Sequence, residues 1–419
     1  MSIPSIVRNL IAMRWARVFK KTLVFIKMQQ VACSSICFHP LSVTCKYPKT
    51  TNMSSSISRR RVIKTLSLGS AALLLHPTYL LSACGSQKRG LGVALVGLGY
   101  YSTDLLAPAL QLTKNCHLAG IVTGTPSKAE TWKQKYNIPD KNIYNYSNFD
   151  SIANNPDIDV VYVVLPPSMH REYVVRAANA GKQVWCEKPM APTAKECQEM
   201  IDACSKNKKS LAIGYRLQHE PTTQEYRRLI QQQEFGKVQK VSCGAGYREN
   251  RTDHWKQKKE MGGGVGGDMG VYAIQGARFG AATEPIAIVS AKAYTTRPDI
   301  YKNGLDEIIE ATLEFPGGVM ADIKTSFAEN INFLDVNFTK GELHVAPYQA
   351  YSGVRAKTPR GEIYHDYQVP WQQAKQMDDN AQSILQGKPM LVPGEEGLRD
   401  IRILEAIYKS AATGQRVNL

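Results

Sequence analysis

The stretch Val93-Ala94-Leu95-Val96-Gly97-Leu98-Gly99-Tyr100-Tyr101-Ser102 decides the fold of this chain. Its first four residues predict a buried strand, and the G-x-G-x-x-S spacing that follows predicts a tight turn into a helix. Glycines at such a turn let backbone N–H groups approach a pyrophosphate at the helix N-terminus. We therefore expect Gly97, Gly99, Tyr100 and Tyr101 to border a dinucleotide. A purely structural turn is the alternative.

Short apolar runs and helical patterns alternate after this stretch. The runs lie at 118–122, 160–165, 184–186 and 211–213, and amphipathic segments at 170–180 and 193–207 separate them. Near-continuous apolar strands that alternate with helices are typical of a doubly wound parallel sheet. The first part of the chain, residues 91–215, is therefore predicted to be an α/β domain of the Rossmann type.

The pattern changes after residue 215. Longer strands with partial alternation are predicted at 238–247, 286–294, 307–315 and 319–327, and a final helix at about 396–413. Pro316-Gly317-Gly318 separates two of the strands and predicts a hairpin. Residues 216–419 are therefore expected to form a second domain, an α+β domain with an open, mainly antiparallel sheet.

The composition and charge exclude several classes of protein. The chain has 419 residues, of which 43% are hydrophobic and 21% charged, so disorder, collagen and coiled coil are excluded. The net charge of +16 arises in residues 1–90, which hold 14 Lys or Arg and no Asp or Glu. The remaining 38 basic and 36 acidic residues nearly balance, so no nucleic-acid partner is expected.

Residues 1–83 are predicted to be an extension and an export signal, followed by a short linker at 84–90. Arg59, Arg60 and Arg61 precede an apolar run at 66–81, an order typical of a twin-arginine signal. Leu81-Ser82-Ala83-Cys84 resembles a lipobox, so Cys84 is the expected lipidation site of a periplasmic, membrane-anchored protein. A buried helix and an uncleaved anchor are the alternatives. The role of residues 1–52 is not explained.

The cysteines and histidines do not predict a metal site. Five of the nine cysteines follow residue 90, at scattered positions without a C-x-x-C spacing, so neither a zinc site nor a disulfide framework is expected. His170, His219 and His254 also lack metal-ligand spacing. They are interpreted as structural residues or as polar contacts to substrate.

The second strand of the first domain favours NADP over NAD. A carboxylate at its end would bind both ribose hydroxyls of NAD. No acid occurs between Asp104 and Glu130, and the segment instead offers Thr123, Ser127 and Lys128. Hydroxyl groups and an ammonium suit a 2′-phosphate. A solvated lysine at the start of a helix is the alternative for Lys128.

Polar residues follow three strands at the edge where the ligand of a parallel sheet binds. The segments are Leu165-Pro166-Pro167, Glu187-Lys188-Pro189 and Gly214-Tyr215-Arg216. A lysine facing a nicotinamide can orient a substrate hydroxyl and help to move its proton, and Lys188 is the candidate for this role. The alternative interpretation is that Lys188 is a surface lysine beside a turn. The residues expected around the cofactor here are Leu165, Pro166, His170, Glu187 and Lys188.

A glycine-rich loop at 262–267 leads into a helix that starts with Asp268 and Tyr272 on one face. A carboxylate and a phenol together can bind and deprotonate a sugar hydroxyl. An N-cap aspartate with a core tyrosine is the alternative. Arg216 and Trp255 are further candidates for sugar contact, with core packing the favoured interpretation of Trp255.

Six elements together resemble the glucose–fructose oxidoreductase/inositol dehydrogenase family (Gfo/Idh/MocA) over residues 91–419. They are V-A-L-V-G-L-G-Y-Y at 93–101, Y-S-N-F-D at 146–150, V-W-C-E-K-P-M-A at 184–191, I-G-Y-R at 213–216, G-G-G-V-G-G-D-M-G-V-Y at 262–272 and P-G-E-E-G-L-R-D at 393–400. The D-x-x-x-Y ending, the twin-arginine signal and the missing strand-end acid are most similar to the glucose–fructose oxidoreductase branch.

The resemblance implies a dimer or tetramer that transfers hydride between a sugar carbinol and NADP. It implies that Lys188 is the catalytic lysine, that Asp268 and Tyr272 bind substrate and transfer its proton, and that Tyr215 is a further active-site tyrosine. The reduced cofactor would then reduce a second sugar, as a ketose to a polyol. The chain lacks the long proline-rich arm that follows the signal in that branch, so other contacts would have to retain the cofactor.

Three other functions remain open at this point. The chain is alternatively a sugar or polyol dehydrogenase that exchanges its cofactor, or a lipid-anchored sugar-binding protein without turnover. Glycoside cleavage through transient oxidation, as in some members of the family, is the third. Lys188, Asp268 and Tyr272 are all present, which argues against a protein without turnover.

Overall fold

A computed structural model describes residues 90–419, and its first sheet has six parallel strands. These are β1 (Leu91–Val96), β2 (Cys116–Val122), β3 (Ile143–Tyr144), β4 (Val160–Val163), β5 (Gln183–Cys186) and β6 (Leu211–Ile213). They lie in the order β3-β2-β1-β4-β5-β6. The strand order reverses between β1 and β4, and ligands of such sheets bind at this point, beyond the carboxyl ends.

Helices connect the strands and cover the first sheet. They are α1 (a π-helical turn at Tyr101–Leu106 that continues as Ala107–Leu110), α2 (Pro126–Tyr136), α3 (Pro167–Asn179) and α4 (Ala194–Lys206). Thr193 caps the start of α4, because its Oγ1 accepts from the Glu196 N–H and donates to the Glu196 carboxylate. The strands are almost fully buried, as their apolar sequences predict for a sheet covered on both faces.

The second sheet has nine strands. They are β7 (Val238–Gly246), β8 (Ala287–Tyr294), β9 (Ile308–Phe315), β10 (Val319–Ser326), β11 (Ile331–Phe338), β12 (Gly341–Val345), β13 (Arg355–Thr358), β14 (Gly361–Tyr364) and β15 (Val417–Asn418). Their order is β14-β13-β12-β11-β7-β10-β9-β8-β15. β7 and β10 run parallel and the other neighbours antiparallel. The predicted hairpin turn at 316–318 joins β9 to β10.

Four helices belong to the second half of the chain: α5 (Pro221–Gln231), α6 (Val271–Ala281), α7 (Trp371–Gln386) and α8 (Gly394–Thr413). The glycine-rich loop enters α6 through a π-helical turn at Gly266–Gly270. α6 lies so close to β7 that a Cβ at Gly276 would come within 2.2 Å of Cys243 Sγ. This close packing fixes the helix that carries Tyr272 against the second sheet.

Helix α7 follows β14 of the second sheet in the chain but packs on the first sheet. Met377 and Ala381 belong to the same apolar cluster as Leu95 of β1. Gln376 Nε2 donates to the buried Tyr162 hydroxyl of β4 at 2.8 Å. The late segment thus completes the core of the early sheet, which the alternation of strands and helices did not predict.

The predicted fold class, a Rossmann sheet followed by an open, mainly antiparallel sheet, is confirmed. Cys116, Cys186, Cys197, Cys204 and Cys243 are buried free thiols. Within residues 90–419, none of the helices combines the length and the apolar character needed to cross a bilayer. The predicted signal, the linker up to residue 89 and Cys84 lie outside the described residues.

Candidate active site

The glycine turn after β1 is built as the sequence predicts. Gly97 has φ +90°, and a Cβ there would lie 2.5 Å from the Val164 carbonyl oxygen, so the position requires glycine. Ser102 is buried, and its hydroxyl donates to the Gly97 carbonyl at 2.6 Å, which ties the helix to the turn. A Cβ at Gly99 would meet no atom within 4 Å. The turn therefore leaves open space beside Gly99, where a pyrophosphate can approach the backbone.

The end of β2 lies beside this turn. Thr123 is buried, and its hydroxyl accepts from the Thr125 N–H at 3.2 Å. The Lys128 ammonium donates to the Leu98 carbonyl at 3.0 Å, which brings a positive charge to the glycine turn. Ser127 is exposed at the start of α2. These residues fit a dinucleotide whose adenosine end lies over β2.

His170 connects the segments that follow β4 and β5. Its Nε2 lies 2.7 Å from the Leu165 carbonyl oxygen, and its Nδ1 lies 3.0 Å from that of Pro189. Burial lowers the pKa of His170, although these carbonyls oppose the effect. The ring bridges the two strand ends, so His170 supports the cofactor site as a structural residue. Pro166 is the N-cap residue of the adjacent helix α3.

Glu187 is a buried carboxyl group next to Lys188. It accepts from the Tyr162 hydroxyl at 2.6 Å and from the Lys188 N–H at 3.2 Å. Burial raises the pKa of Glu187 to about 7, although Tyr162 and the Lys188 charge oppose the rise. A Cβ at Gly214 would lie 2.5 Å from its Oε1, so glycine makes room for the carboxyl group. Glu187 therefore holds the segment that carries Lys188.

Lys188 and Asp268, from different halves of the chain, form an ion pair. Lys188 Nζ lies 3.0 Å from Asp268 Oδ1 and 3.0 Å from the Asp268 carbonyl oxygen. Their side chains are only 13% and 9% exposed. The other carboxylate oxygen, Oδ2, lies 2.5 Å from Lys256 Nζ. Two ammonium groups thus share one carboxylate.

These contacts set the charges at the centre of the site. Burial alone would raise the pKa of Asp268, but the charges of Lys188 and Lys256 hold it well below its usual range. Burial would likewise lower the pKa of Lys188, but the Asp268 charge raises it above its usual value. Asp268 is therefore ionised and Lys188 protonated at neutral pH. The site holds an ammonium donor for a substrate oxygen.

Cations and aromatic rings alternate from Lys188 towards the glycine turn. The Lys188 ammonium lies 4.7 Å from the Tyr272 ring centre, and the Arg216 guanidinium 5.8 Å from it. Arg216 also lies 4.4 Å from the Tyr351 ring centre. The Tyr351 and Tyr101 ring centres are 6.2 Å apart. The structure therefore brings together Tyr101, Lys188, Arg216, Asp268 and Tyr272, as the sequence analysis expected.

Three expected site residues lie elsewhere or have other contacts. Tyr215 lies near Asp400 and Glu396, two carboxylates of α8. Burial and the Asp400 carboxylate raise the pKa of Tyr215. The ring of Trp255 is partly buried, and its centre lies 5.5 Å from the Lys256 ammonium. Tyr100, in the glycine turn, is 64% exposed, whereas the ring of its neighbour Tyr101 lies 6.2 Å from that of Tyr351.

Arg216 is held by the second half of the chain. It donates to the Gln349 and Ala350 carbonyl oxygens and to the Gln372 side chain on α7. Because these contacts occupy the guanidinium, they fix its position between the Tyr272 and Tyr351 rings. Any contact of Arg216 with a sugar is made from this fixed position.

The sequence analysis missed Lys256, Tyr247 and Tyr351 as parts of the site. Tyr247 follows β7, and its hydroxyl lies 3.3 Å from Asp268 Oδ2 and within hydrogen-bond distance of Lys256 Nζ. Tyr351 lies in an irregular loop between β12 and β13. None of the three belongs to a motif, so only the fold shows that they meet Asp268 or Arg216.

In residues 90–419, no three His, Cys, Asp or Glu side chains form a group that could hold a metal ion. The glycine turn, the open space at Gly99 and the buried Lys188–Asp268 pair are the features of an NAD(P)-dependent oxidoreductase. A family model described as an oxidoreductase family with an NAD-binding Rossmann fold matches residues 91–215, and one for the GFO/IDH/MocA C-terminal domain matches residues 223–344. The chain belongs to the Gfo/Idh/MocA family, as its sequence elements predicted.

Known proteins of related sequence include dehydrogenases and an oxidoreductase. The solved structure of aldose-aldose oxidoreductase from Caulobacter crescentus is 36% identical, with a TM-score of 0.75, and the match covers 79% of this chain and 100% of that one. D-xylose 1-dehydrogenase [NADP(+)] from Haloarcula marismortui is 26% identical over 78% of this chain and 92% of its own length. Trans-1,2-dihydrobenzene-1,2-diol dehydrogenase from Xenopus tropicalis is 28% identical over 59% of this chain and 72% of its own.

Proposed function

We propose that this protein is an NADP-dependent sugar oxidoreductase that oxidises an aldose and reduces a second sugar on a retained cofactor. The observation that carries the proposal is the Lys188–Asp268 ion pair beside the Tyr272 ring, at the carboxyl edge of the dinucleotide-binding sheet. An ammonium, a carboxylate and a phenol at this edge can bind a carbinol group and exchange its proton. The names of two relatives, an aldose-aldose oxidoreductase and a D-xylose dehydrogenase, support an aldose as substrate.

The residues over β2 favour the phosphorylated cofactor. Thr123 directly follows the strand, where NAD enzymes place an acid, and Lys128 brings an ammonium to the glycine turn. Gly97, Gly99 and the start of α1 would hold the pyrophosphate. Bound NADP would supply an acceptor for the hydride of a carbinol carbon, and its reduced form a hydride donor for a second carbonyl group.

The charge of each side chain in the site indicates its role in the reaction. Lys188 is protonated, because the Asp268 charge raises its pKa, so it donates to the substrate oxygen and stabilises the negative charge that develops there. Asp268 is held ionised by two cations that lower its pKa, which makes its carboxylate a weak base suited to accept a hydrogen bond from a neighbouring hydroxyl. Tyr272 is the remaining group. We assign to it the transfer of the hydroxyl proton: its phenolate form takes the proton in oxidation, and the resulting phenol returns it in reduction.

The proposal also covers the cell compartment and assembly. We propose that residues 54–84 direct export by the twin-arginine route and that Cys84 carries a lipid anchor in the periplasm. This route exports folded proteins, so a cofactor inserted in the cytoplasm would remain bound. An exported enzyme has no free NADP supply, which favours redox-neutral cycling between two sugars. Assembly into a dimer or tetramer is part of the same proposal.

The test is a product balance on purified protein without added nucleotide. Mass spectrometry of the nucleotide released by denaturation is expected to show NADP. Incubation with D-glucose or D-xylose is expected to give oxidised sugar and alditol in equal amounts. A fructose co-substrate tests whether a ketose serves as the acceptor.

Matched variants separate catalysis from folding. Lys188→Met is expected to abolish both products while the nucleotide stays bound, whereas Lys195→Met, on the outer side of α4, is expected to change neither. Oxidised sugar that forms only with added NADP, with release of NADPH, would favour the exchanging dehydrogenase instead. Sugar binding without any product would favour the sugar-binding protein.

A further inference from the structure

Lys256 is a lysine buried among aromatic rings. Its ammonium lies 5.0 Å from the ring centre of Tyr247, 5.5 Å from that of Trp255 and 5.7 Å from that of Phe327. Its side chain is only 14% exposed. Lysine is seldom buried this far unless it is paired, because its charge loses hydration. The charged partner of Lys256 is Asp268, at 2.5 Å.

The two lysines bind different oxygens of the Asp268 carboxylate. Lys188 contacts Oδ1 and Lys256 contacts Oδ2, so the carboxylate is held from both ends. The Tyr247 hydroxyl lies 3.3 Å from Oδ2 and 3.2 Å from Glu249 Oε2, and Arg251 in turn pairs with Glu249. The carboxylate plane is therefore fixed by groups of the second half of the chain as well as by Lys188.

We propose that Lys256 is a positioning residue, which acts on the sugar through Asp268 and Lys188. By occupying Oδ2 it leaves a single carboxylate oxygen for Lys188. The Lys188 ammonium donates to that oxygen and to the Asp268 carbonyl, so its third N–H stays free for a substrate oxygen. Without Lys256 the carboxylate would turn and take Lys188 as a two-oxygen partner, which would draw the ammonium away from the substrate. This inference rests on the proposed function, in which Lys188 contacts the sugar.

A structural role for Lys256 is the competing explanation. The segment around it packs tightly on the glycine-rich loop, since a Cβ at Gly263 would lie 2.7 Å from the carbonyl oxygens of Trp255, Lys256 and Lys258. Those contacts use the backbone, not the Lys256 side chain. A substitution of the side chain therefore separates the two explanations.

The first measurement compares Lys256→Met and Lys256→Arg with Lys258→Met. Lys258 is a half-exposed lysine two residues away that pairs with exposed Asp253 at 2.8 Å, so it is a matched control. With D-xylose as both donor and acceptor on the purified holoenzyme, Lys256→Met is expected to lower kcat by about 10- to 100-fold while the amount of bound NADP stays within about 2-fold. Lys256→Arg is expected to recover at least part of kcat, and Lys258→Met to match the wild type.

The second measurement does not depend on turnover. A double-mutant cycle of Lys256→Met and Asp268→Asn is followed by thermal unfolding. Lys256→Met is expected to lower Tm by about 2–5 °C more in the wild-type background than in the Asp268→Asn background, because only the wild type is left with an under-compensated buried carboxylate. Where Lys256→Met fails to fold, Lys256→Gln serves in both measurements.

The outcomes distinguish this inference from the proposed function. Additive Tm changes, or a Lys256→Met enzyme with wild-type kcat, would overturn the positioning role. An equal loss of kcat in Lys258→Met would overturn it as well. Coupled Tm changes in a protein that turns over no sugar would instead leave the Lys256–Asp268 link intact and contradict the proposed function.

Discussion

The ammonium of Lys188 lies 4.7 Å from the centre of the Tyr272 ring, although one residue follows a strand of the parallel sheet and the other is on a helix of the second half. The two groups meet only when both halves have folded and packed. The site thus depends on how α6 is held against β7 as much as on the glycine turn.

Removing the Tyr272 hydroxyl tests its assigned role in proton transfer. Tyr272→Phe keeps the ring beside Lys188 and Arg216, so the packing is preserved and only the proton-carrying group is lost. We expect kcat with D-xylose to fall by about 10²- to 10⁴-fold, with unchanged nucleotide binding by fluorescence titration. Tyr294→Phe, at an exposed tyrosine of β8, is the control. A Tyr272→Phe variant with wild-type kcat would show that another group transfers the hydroxyl proton.

The two glycines of the turn after β1 are expected to respond differently to alanine. Gly97→Ala places a Cβ 2.5 Å from the Val164 oxygen at φ +90°, so it is expected to cost about 1–3 kcal/mol of stability. Gly99→Ala meets no atom within 4 Å and is expected to leave Tm unchanged. Because its methyl group points into the open space, it is expected to weaken NADP binding at least about 10-fold. Thermal unfolding measures the stability of both variants, and nucleotide titration measures their NADP affinity. Wild-type NADP affinity in Gly99→Ala would show that the pyrophosphate does not bind beside Gly99.

The charge at position 128 is expected to affect the choice of cofactor. Lys128→Glu replaces an ammonium next to the glycine turn by a carboxylate that repels a 2′-phosphate. We expect the ratio of NADP to NAD affinity to fall by about 10- to 100-fold, which corresponds to about 1.4–2.8 kcal/mol. Lys135→Glu, at an exposed position of the same helix α2, is the control. If both variants keep the wild-type ratio, the assignment of Lys128 to the 2′-phosphate is wrong.

Glu187 makes stability depend on pH near neutrality. Its pKa is raised from 4.5 to about 7, so between these values the native chain holds a proton that the unfolded chain has released. The resulting stabilisation is fully present below about pH 4.5 and is lost as the pH rises to about 7. Glu187→Gln cannot ionise, so its Tm relative to the wild type is expected to rise between pH 5 and about 7.5. The effect amounts to at most about 3 kcal/mol.

The control for this measurement is Glu130→Gln, at an exposed glutamate of α2. It is expected to follow the wild-type profile across the same pH range. Parallel Tm curves for the wild type and Glu187→Gln would show that the Glu187 carboxyl group is already ionised at pH 5.

Local sequence rules predicted the first sheet and the residues at the centre of the site. Apolar runs indicated five of its six strands, because buried parallel strands need little more than continuous apolar residues. The two-residue strand β3 is too short to leave such a run. Local patterns singled out Lys188 at a strand end and Asp268 with Tyr272 at a helix start, whereas only the family resemblance implied that they share one site.

The remainder depends on contacts between segments far apart in the chain. Strands β12, β13 and β14 have only 5, 4 and 4 residues, so each leaves too short a pattern to be recognised. Lys256 resembles any surface lysine until Tyr247, Trp255 and Phe327 are placed around it. Tyr215 and Arg216 are adjacent after β6, and only packing against α8 and α7 shows that the arginine, not the tyrosine, faces Tyr272.

The return of α7 to the first sheet has a consequence for biosynthesis. Residues 91–215 leave the ribosome long before Met377 and Ala381, which fill the apolar face beside Leu95. Until then the nascent Rossmann half exposes that face and lacks the Gln376 contact to Tyr162. Expressed alone, this half is expected to aggregate, and chaperones are expected to engage it during translation until the last third of the protein has been made.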